Sequence, residues 1–308
     1  MPLDTTCQTV PFLGTVRLVV MEVVPSRTAT VGDTQVRRAL PQRARRTIGA
    51  WCFVDHFGPS APGADDGIGV GPHPHCGLST VTWLLDGMAV HTDSLGSEQS
   101  IRPGQLNLMT AGAGIAHAEL TPEERRGPLH GVQFWVAQPE STRHGAPAFE
   151  HHAELPTVGT GPLRATVLLG SFDGVVAPAR TDTELVGVEL SGSASGSTPV
   201  PLDHRFEHGV VVLEGRIVVD DSPLGPGELA HLPVGAEQVS VRTDGPARWL
   251  LIGGTPFEAP VQMWWNFVGR TREEMVDAVE DWNGDNERFG VVRSELARIP
   301  SPVPPWAT

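Results

Sequence analysis

Two short runs of this chain carry side chains able to hold a metal ion. In Gly71-Pro72-His73-Pro74-His75 the imidazoles are two residues apart, so in an extended segment both project from one face. His117-Ala118-Glu119 repeats the spacing with an imidazole and a carboxylate, directly after a glycine-rich turn, Thr110-Ala111-Gly112-Ala113-Gly114-Ile115-Ala116. If neighbouring strands carry the two pairs, three ring nitrogens and a carboxylate converge from a rigid surface. That donor set suits one divalent ion of Fe, Mn, Ni, Cu or Zn, and spacing does not choose among them. Histidine beside proline is also common in surface turns, so the first pair alone is weak evidence and the second makes the centre a candidate.

The elements that must position these groups read as apolar, β-branched runs of about 4–8 residues between Gly, Pro, Asp and Ser. Examples are Val16-Arg17-Leu18-Val19-Val20, Thr80-Val81-Thr82-Trp83-Leu84-Leu85 and Val210-Val211-Val212-Leu213. They predict an all-β sandwich or barrel. Two runs end alike, at Asp86-Gly87 and Glu214-Gly215, and each is followed by a Pro-Gly turn, Pro103-Gly104 and Pro226-Gly227, which is a weak internal repeat. The 308 residues suggest two domains at about 100–200 residues each. The boundary falls near Leu155 to Pro162, giving 1–158 and 159–308. Ser191 to Ser197 reads as a flexible loop inside the second half. One segment reads as helical: Thr271-Arg272-Glu273-Glu274 has capping-box form, and Met275, Ala278, Val279 and Trp282 share a face before Asn283-Gly284.

Composition removes other classes of function. The net charge of −14, with no extended basic patch beyond Arg37-Arg38 and Arg43-Ala44-Arg45-Arg46, repels phosphate backbones and argues against direct nucleic-acid binding. No apolar run approaches the roughly 20 residues needed to span a bilayer. Met1-Pro2-Leu3-Asp4 lacks the basic-then-apolar pattern of a leader. Cys7, Cys52 and Cys76 are odd in number with no close pair, which fits a reducing compartment. A soluble cytoplasmic protein is expected.

Longer motifs around the paired ligands resemble those of the pirin family. His73-Pro74-His75-x-Gly77, then Thr80-Val81-Thr82 through Asp86-Gly87, then His91-x-Asp93-Ser94 are similar to its first cupin motif, and Met109-Thr110-Ala111-Gly112-x-Gly114-Ile115-x-His117-x-Glu119 to its second. The resemblance extends over Val36 to Pro41, Phe53 to Pro59, His130 to Val136 and Phe267 to Gly290, so it covers most of the chain. It implies a bicupin, two double-stranded β-helix (jelly-roll) barrels with a C-terminal helix. It also implies one Fe(II) in the N-terminal barrel, its ligands falling on His73, His75, His117 and Glu119. The second barrel reads as metal-free: Pro201, Asp203 and Gln238 stand where ligands would be, leaving His204, His208 and His231 only for some other geometry.

Around the centre, His56, Cys76, His91, Asp93, Gln133 and Trp135 are candidates for supporting roles. A ligating imidazole usually donates its other N–H to a carboxylate or carbonyl, and Asp93 is the best-placed carboxylate. Gln133 and Trp135 alternate with Val132 and Phe134, so one pair faces the interior. The sequence departs from the family where pirins carry Arg and an acidic residue, here Cys76 and Ser79. Cys76 could be a soft ligand, a redox-sensitive thiol or a small packed residue pointing away from His75.

The resemblance implies two functions, and the departures at Cys76 and Ser79 add a third. One is a dioxygenase like those that cleave the flavonol quercetin with O₂, with Glu119 as the base. The second is a non-catalytic iron-binding regulator acting through protein partners, and the third a biosynthetic enzyme on another polyphenol or enol. An open, apolar-lined pocket favours an enzyme; a plugged one beside an exposed apolar patch favours a binding protein.

Overall fold

The computed structural model describes residues 21–32, 34–61, 63–193 and 196–307; Cys7 and the run from Val16 to Val20 lie outside them. Alternation along the strands decides what each sheet face meets. In Trp51–Phe57, Phe53, Asp55 and Phe57 line a cavity while Val54 packs into an apolar cluster on the opposite face. In His130–Ala137, Gln133 and Trp135 face the cavity, and Val132 and Phe134 face away. Both strands belong to a seven-stranded sheet, ordered Ala148–His152, Leu106–Thr110, Leu78–Asp86, His130–Ala137, Trp51–Phe57, Thr34–Leu40, Arg27–Val31. A four-stranded sheet, Gly69–His75, Ile115–Leu120, Ala89–Asp93, Glu98–Ile101, closes the first barrel.

The second barrel repeats this plan with an eight-stranded and a four-stranded sheet, but its interior is filled. Val188, Leu190, Val210, Val212, Val239 and Trp249 are among the buried side chains of that core. The large sheets of the two barrels pack face to face, with Trp51, Trp83, Leu108 and Phe134 against Leu169, Val211, Leu250 and Ile252. Polar atoms at this junction are paired, as in Trp83 Nε1 donating to Glu189 at 2.7 Å and Trp51 Nε1 to the Gly253 carbonyl at 3.1 Å. Ser191 and Gly192, read from sequence as loop, extend the strand Leu185–Gly192 and pair with Arg248 and Ala247.

Each barrel takes an element from the far part of the chain. Glu22–Pro25 pairs with Glu228–Leu232 in the second barrel. The hairpin Gln262–Trp264 and Phe267–Gly269 sits on the first barrel, where Val268 N donates to the Cys76 carbonyl at 3.1 Å. Gly77 makes this approach possible: its φ is +69°, and a Cβ there would run into the Val268 carbonyl. The helix Arg272–Asn283 follows, with the Thr271 side chain accepting from Glu274 N. Glu274 reaches back to Arg270 N at 2.9 Å, one residue beyond the Thr271 nitrogen of a reciprocal capping-box bond. Met275, Ala278, Val279 and Trp282 pack with Cys76, Ala116, Phe267 and Phe289. Among the described residues no helix is long and apolar enough to cross a membrane.

Two outcomes follow from this packing. Trp282 is buried and its indole donates to the Ile299 carbonyl at 2.8 Å, so Trp282→Ala should lower stability by about 3–5 kcal/mol, read as a drop in the urea midpoint. His208 is buried without a partner for Nδ1 among the described residues, and burial pushes its pKa down to about 4. The unfolded chain therefore binds the extra proton below about pH 6.5, and stability present at neutral pH falls as pH drops from there toward 4. His208→Leu should flatten that slope in denaturant titrations at pH 7, 6 and 5.

Candidate metal centre

The strands Gly69–His75 and Ile115–Leu120 are antiparallel neighbours with His117 opposite His73. This register brings the two sequence-distant pairs together. His73, His75 and His117 each offer a ring nitrogen, and the three lie within 4.8 Å of one another. Glu119, His91 and His117 form a second such grouping. A bulge between His117 and Glu119 displaces the carboxylate from the regular register.

Hydrogen bonds fix which nitrogen each ring presents. His73 Nδ1 lies 2.8 Å from the Gly71 carbonyl and His75 Nδ1 lies 3.0 Å from the Asn266 carbonyl. Carbonyl oxygens only accept, so both Nδ1 atoms carry the proton and both Nε2 atoms keep a lone pair. The third ring is set at one remove. Asp93 Oδ2 lies 3.1 Å from His91 Nε2, which must donate; His91 Nδ1 then accepts from His117 Nδ1 at 3.3 Å. His117 Nε2 is left unprotonated, 3.1 Å from His75 Nε2. Burial pushes the pKa of all three imidazoles down, that of His73 to about 4 and those of His75 and His117 well below the ordinary histidine value, so they are neutral at pH 7.

Two lone pairs at 3.1 Å repel unless a positive charge lies against both. The contrast with His56 and His130 is direct, since their Nε2 atoms are 2.8 Å apart. There Arg37 donates to His56 Nδ1 and Glu214 lies at His130 Nδ1, so one Nε2 donates and the other accepts. At His75 and His117 no such complementarity exists, and the donor set fits a divalent metal ion. Glu119 adds a carboxylate whose pKa burial raises, against the smaller lowering effects of His91 and the Thr82 hydroxyl, 3.3 Å from Oε1.

A cavity of about 550 Å³ leads to these groups. It is lined on one side by the seven-stranded sheet, through Arg38, Phe53, Asp55, Gln133 and Trp135, and on the other by Met263, Trp264, Trp265 and Ile299 from the C-terminal part of the chain. Phe53 and Trp135 stack at 4.0 Å, and Trp135 meets His75 edge-on at 5.2 Å.

The supporting candidates divide accordingly. Gln133 and Trp135 line the cavity, and His91 and Asp93 stand behind His117. His56 lies on the opposite face of its strand from Asp55, paired with His130. Cys76 packs beneath the helix, and burial raises its thiol pKa to about 11. Ser79 bonds Thr110 at 3.3 Å. Neither departure from the family pattern lines the cavity. Sequence reasoning passed over Asn266, Arg38 and Asp55. Alternation with Phe53 and Phe57 was an available signal for Asp55; nothing local marks Asn266.

Family models for pirin and for the pirin C-terminal cupin domain match residues 33–136 and 187–290. The chain belongs to the pirin family. Human pirin is 28% identical over 93% of this chain and 99% of its own length. A Pseudomonas aeruginosa pirin relative, named for a proposed quercetin 2,3-dioxygenase activity, is 43% identical over 93% of this chain and 91% of its own. The crystal structure of a quercetin 2,3-dioxygenase from Acinetobacter baumannii superposes with a TM-score of 0.90 at 42% identity, covering 94% of this pirin chain and 97% of that protein. The all-β, two-cupin architecture with a C-terminal helix is thus shared with these pirins and quercetinases.

Asp93→Asn tests the tautomer chain. The amide would donate to His91 Nε2, put the proton on His91 Nδ1 and face it against His117 Nδ1–H, so metal affinity should fall by roughly 10–100-fold with the fold intact. Chelator competition reads the affinity and elemental analysis the stoichiometry, which should be one ion per wild-type chain; unchanged affinity in the variant would refute the assignment.

Proposed function

We propose that this pirin is a metal-dependent dioxygenase of the quercetin 2,3-dioxygenase type, acting on a flavonol or a related flat enol, with His73, His75, His117 and Glu119 holding one Fe(II). The observation that carries this reading is the cavity, which ends on the imidazole cluster and is walled by aromatic side chains. A plugged barrel would offer a substrate no approach; the second barrel is filled in that way. The named activities of the 43% and 42% identical relatives support the same reading. A cytoplasmic location is part of this proposal, and it is supported by Cys52 and Cys76 being buried free thiols.

A bound divalent metal would supply Lewis-acid binding of a chelating enolate and a place for O₂. The chain's own residues bind, orient and deprotonate. Phe53 and Trp135 offer aromatic edges to a flat ring system and keep water from its faces. Glu119 is the base for the substrate's enolic hydroxyl, a carboxylate grouped with His91 and His117 whose oxygen not bound to the metal can take the proton.

Glu119→Gln keeps the shape and an oxygen donor but loses charge and basicity. The variant is expected to retain most of its metal and to lose at least about 100-fold in turnover, the lower end of what general-base catalysis contributes. Oxygen uptake with quercetin, paired with elemental analysis of the same sample, reads both. Undiminished turnover with metal bound would remove the base role, and no oxygen uptake by metal-loaded wild type with any flavonol would remove the dioxygenase reading.

A further inference from the structure

The inner face of the seven-stranded sheet carries a row of polar residues that the chemistry at Glu119 does not use. Thr82 is opposite Gln133, Gln133 opposite Asp55, and Asp55 opposite Arg38, so four adjacent strands each contribute one member in direct register. The row starts at the metal-site carboxylate, where the Thr82 hydroxyl lies 3.3 Å from Glu119 and 2.9 Å from Gln133 Oε1. It ends in a bidentate pair, Arg38 donating to the two oxygens of Asp55 at 2.7 and 2.6 Å. Arg38 also lies over the Phe53 ring at 4.4 Å, so Trp135, Phe53 and the guanidinium form one stack beside the row.

Two features of the row face the cavity and not the protein. Gln133 accepts from Thr82 through Oε1, and its amide N–H groups have no protein partner among the described residues. Asp55 is 2% exposed and each of its oxygens takes one bond from Arg38, which leaves lone pairs toward the cavity that both residues line. A desolvated ion pair contributes little to folding compared with an apolar pair of the same volume. Structural need therefore does not explain its position on the wall of a cavity.

We propose that Asp55, held by Arg38, together with the Gln133 amide, binds a hydroxyl at the end of the substrate remote from the metal. The class of ligand follows from the span. Thr82 and Asp55 are two strand spacings apart, about 10 Å, too far for one ring chelating at the metal end and matched by a flat phenol of two or three rings. Asp55 accepts from the remote hydroxyl and Gln133 donates to its oxygen. A ligand without that hydroxyl leaves the Gln133 N–H groups and the remaining Asp55 lone pairs without a partner, and polar sites discriminate most strongly against ligands that leave such groups unmatched.

The proposal rests on the reading of this cavity as a site for flat phenols, and the test separates the two. Binding of quercetin, which has hydroxyls at both ends, and of 3-hydroxyflavone, which has only the chelating one, is measured by tryptophan quenching on metal-loaded protein without oxygen. Wild type should prefer quercetin by at least tenfold. The double variant Arg38→Met, Asp55→Leu, chosen to keep the wall packed, should bring that preference below threefold while metal content stays at one ion per chain. Gln133→Leu should give an intermediate preference. An unaltered preference in the double variant, equal binding of the two ligands by wild type, or binding of neither would overturn the proposal. Oxygen uptake is scored separately. An Asp55-dependent preference without oxygen consumption defeats the dioxygenase reading and leaves this one standing, and oxygen consumption with no such preference does the reverse.

Discussion

The candidate metal centre depends on where three imidazole protons are held. A histidine is a ligand only through a nitrogen that has lost its proton, and here acceptor-only groups hold that proton on the far side of each ring. The Gly71 carbonyl does this for His73, the Asn266 carbonyl for His75, and Asp93, acting through His91, for His117. Other features of the first barrel can be traced to the same requirement. Gly77 lets the C-terminal hairpin come close enough for Asn266 to reach His75. The stack of Phe149 on His91, at 4.4 Å, holds the intermediate ring flat between its partners. His56 and His130 show that two close rings need not make a metal site: with a donor at one end and an acceptor at the other, they settle into an ordinary hydrogen bond.

The two barrels share an architecture and differ in what occupies their middles. Counted back from the matching glycines, Gly87 and Gly215, Thr82 stands where the second barrel has Val210, and His75 where it has Asp203. Val210 is part of a packed apolar core, whereas Thr82 begins a polar row. Trp83 and Val211, one residue further on, both face the junction between barrels. The outward faces therefore remained alike, because each must bury apolar surface against the other. The inward faces diverged into a filled support and a hollow site.

Much of this was legible in the chain because strand geometry is local. The two-residue spacing in His73-Pro74-His75 and His117-Ala118-Glu119 requires only that the segments be extended, and the repeated Gly and Pro-Gly turns marked two β units. Parity along a strand was harder to read. His56 was a candidate beside the centre, yet its neighbour Asp55 is the residue on that face, and a shift of one position decides the matter. Asp93 was expected to serve a ligand directly and instead acts through His91; their own two-residue spacing carried that information. The contact of Asn266 with His75 spans 191 residues and uses a backbone carbonyl, so no side-chain type could advertise it.

The exchange of distant elements between the barrels has a bearing on how the protein is made. Strands of the first barrel leave the ribosome early, but the carbonyl that orients His75 belongs to residue 266, and Ile299, which lines the cavity, comes later still. The tautomer of His75 is therefore open during most of synthesis, when the nascent barrel can offer at most an incompletely oriented set of donors. Under the proposed metal role, the complete donor set would exist only once the second barrel has emerged and the hairpin beyond it has docked. A chain halted before that hairpin would contain His73, His75, His117 and Glu119 and still lack the means to orient His75.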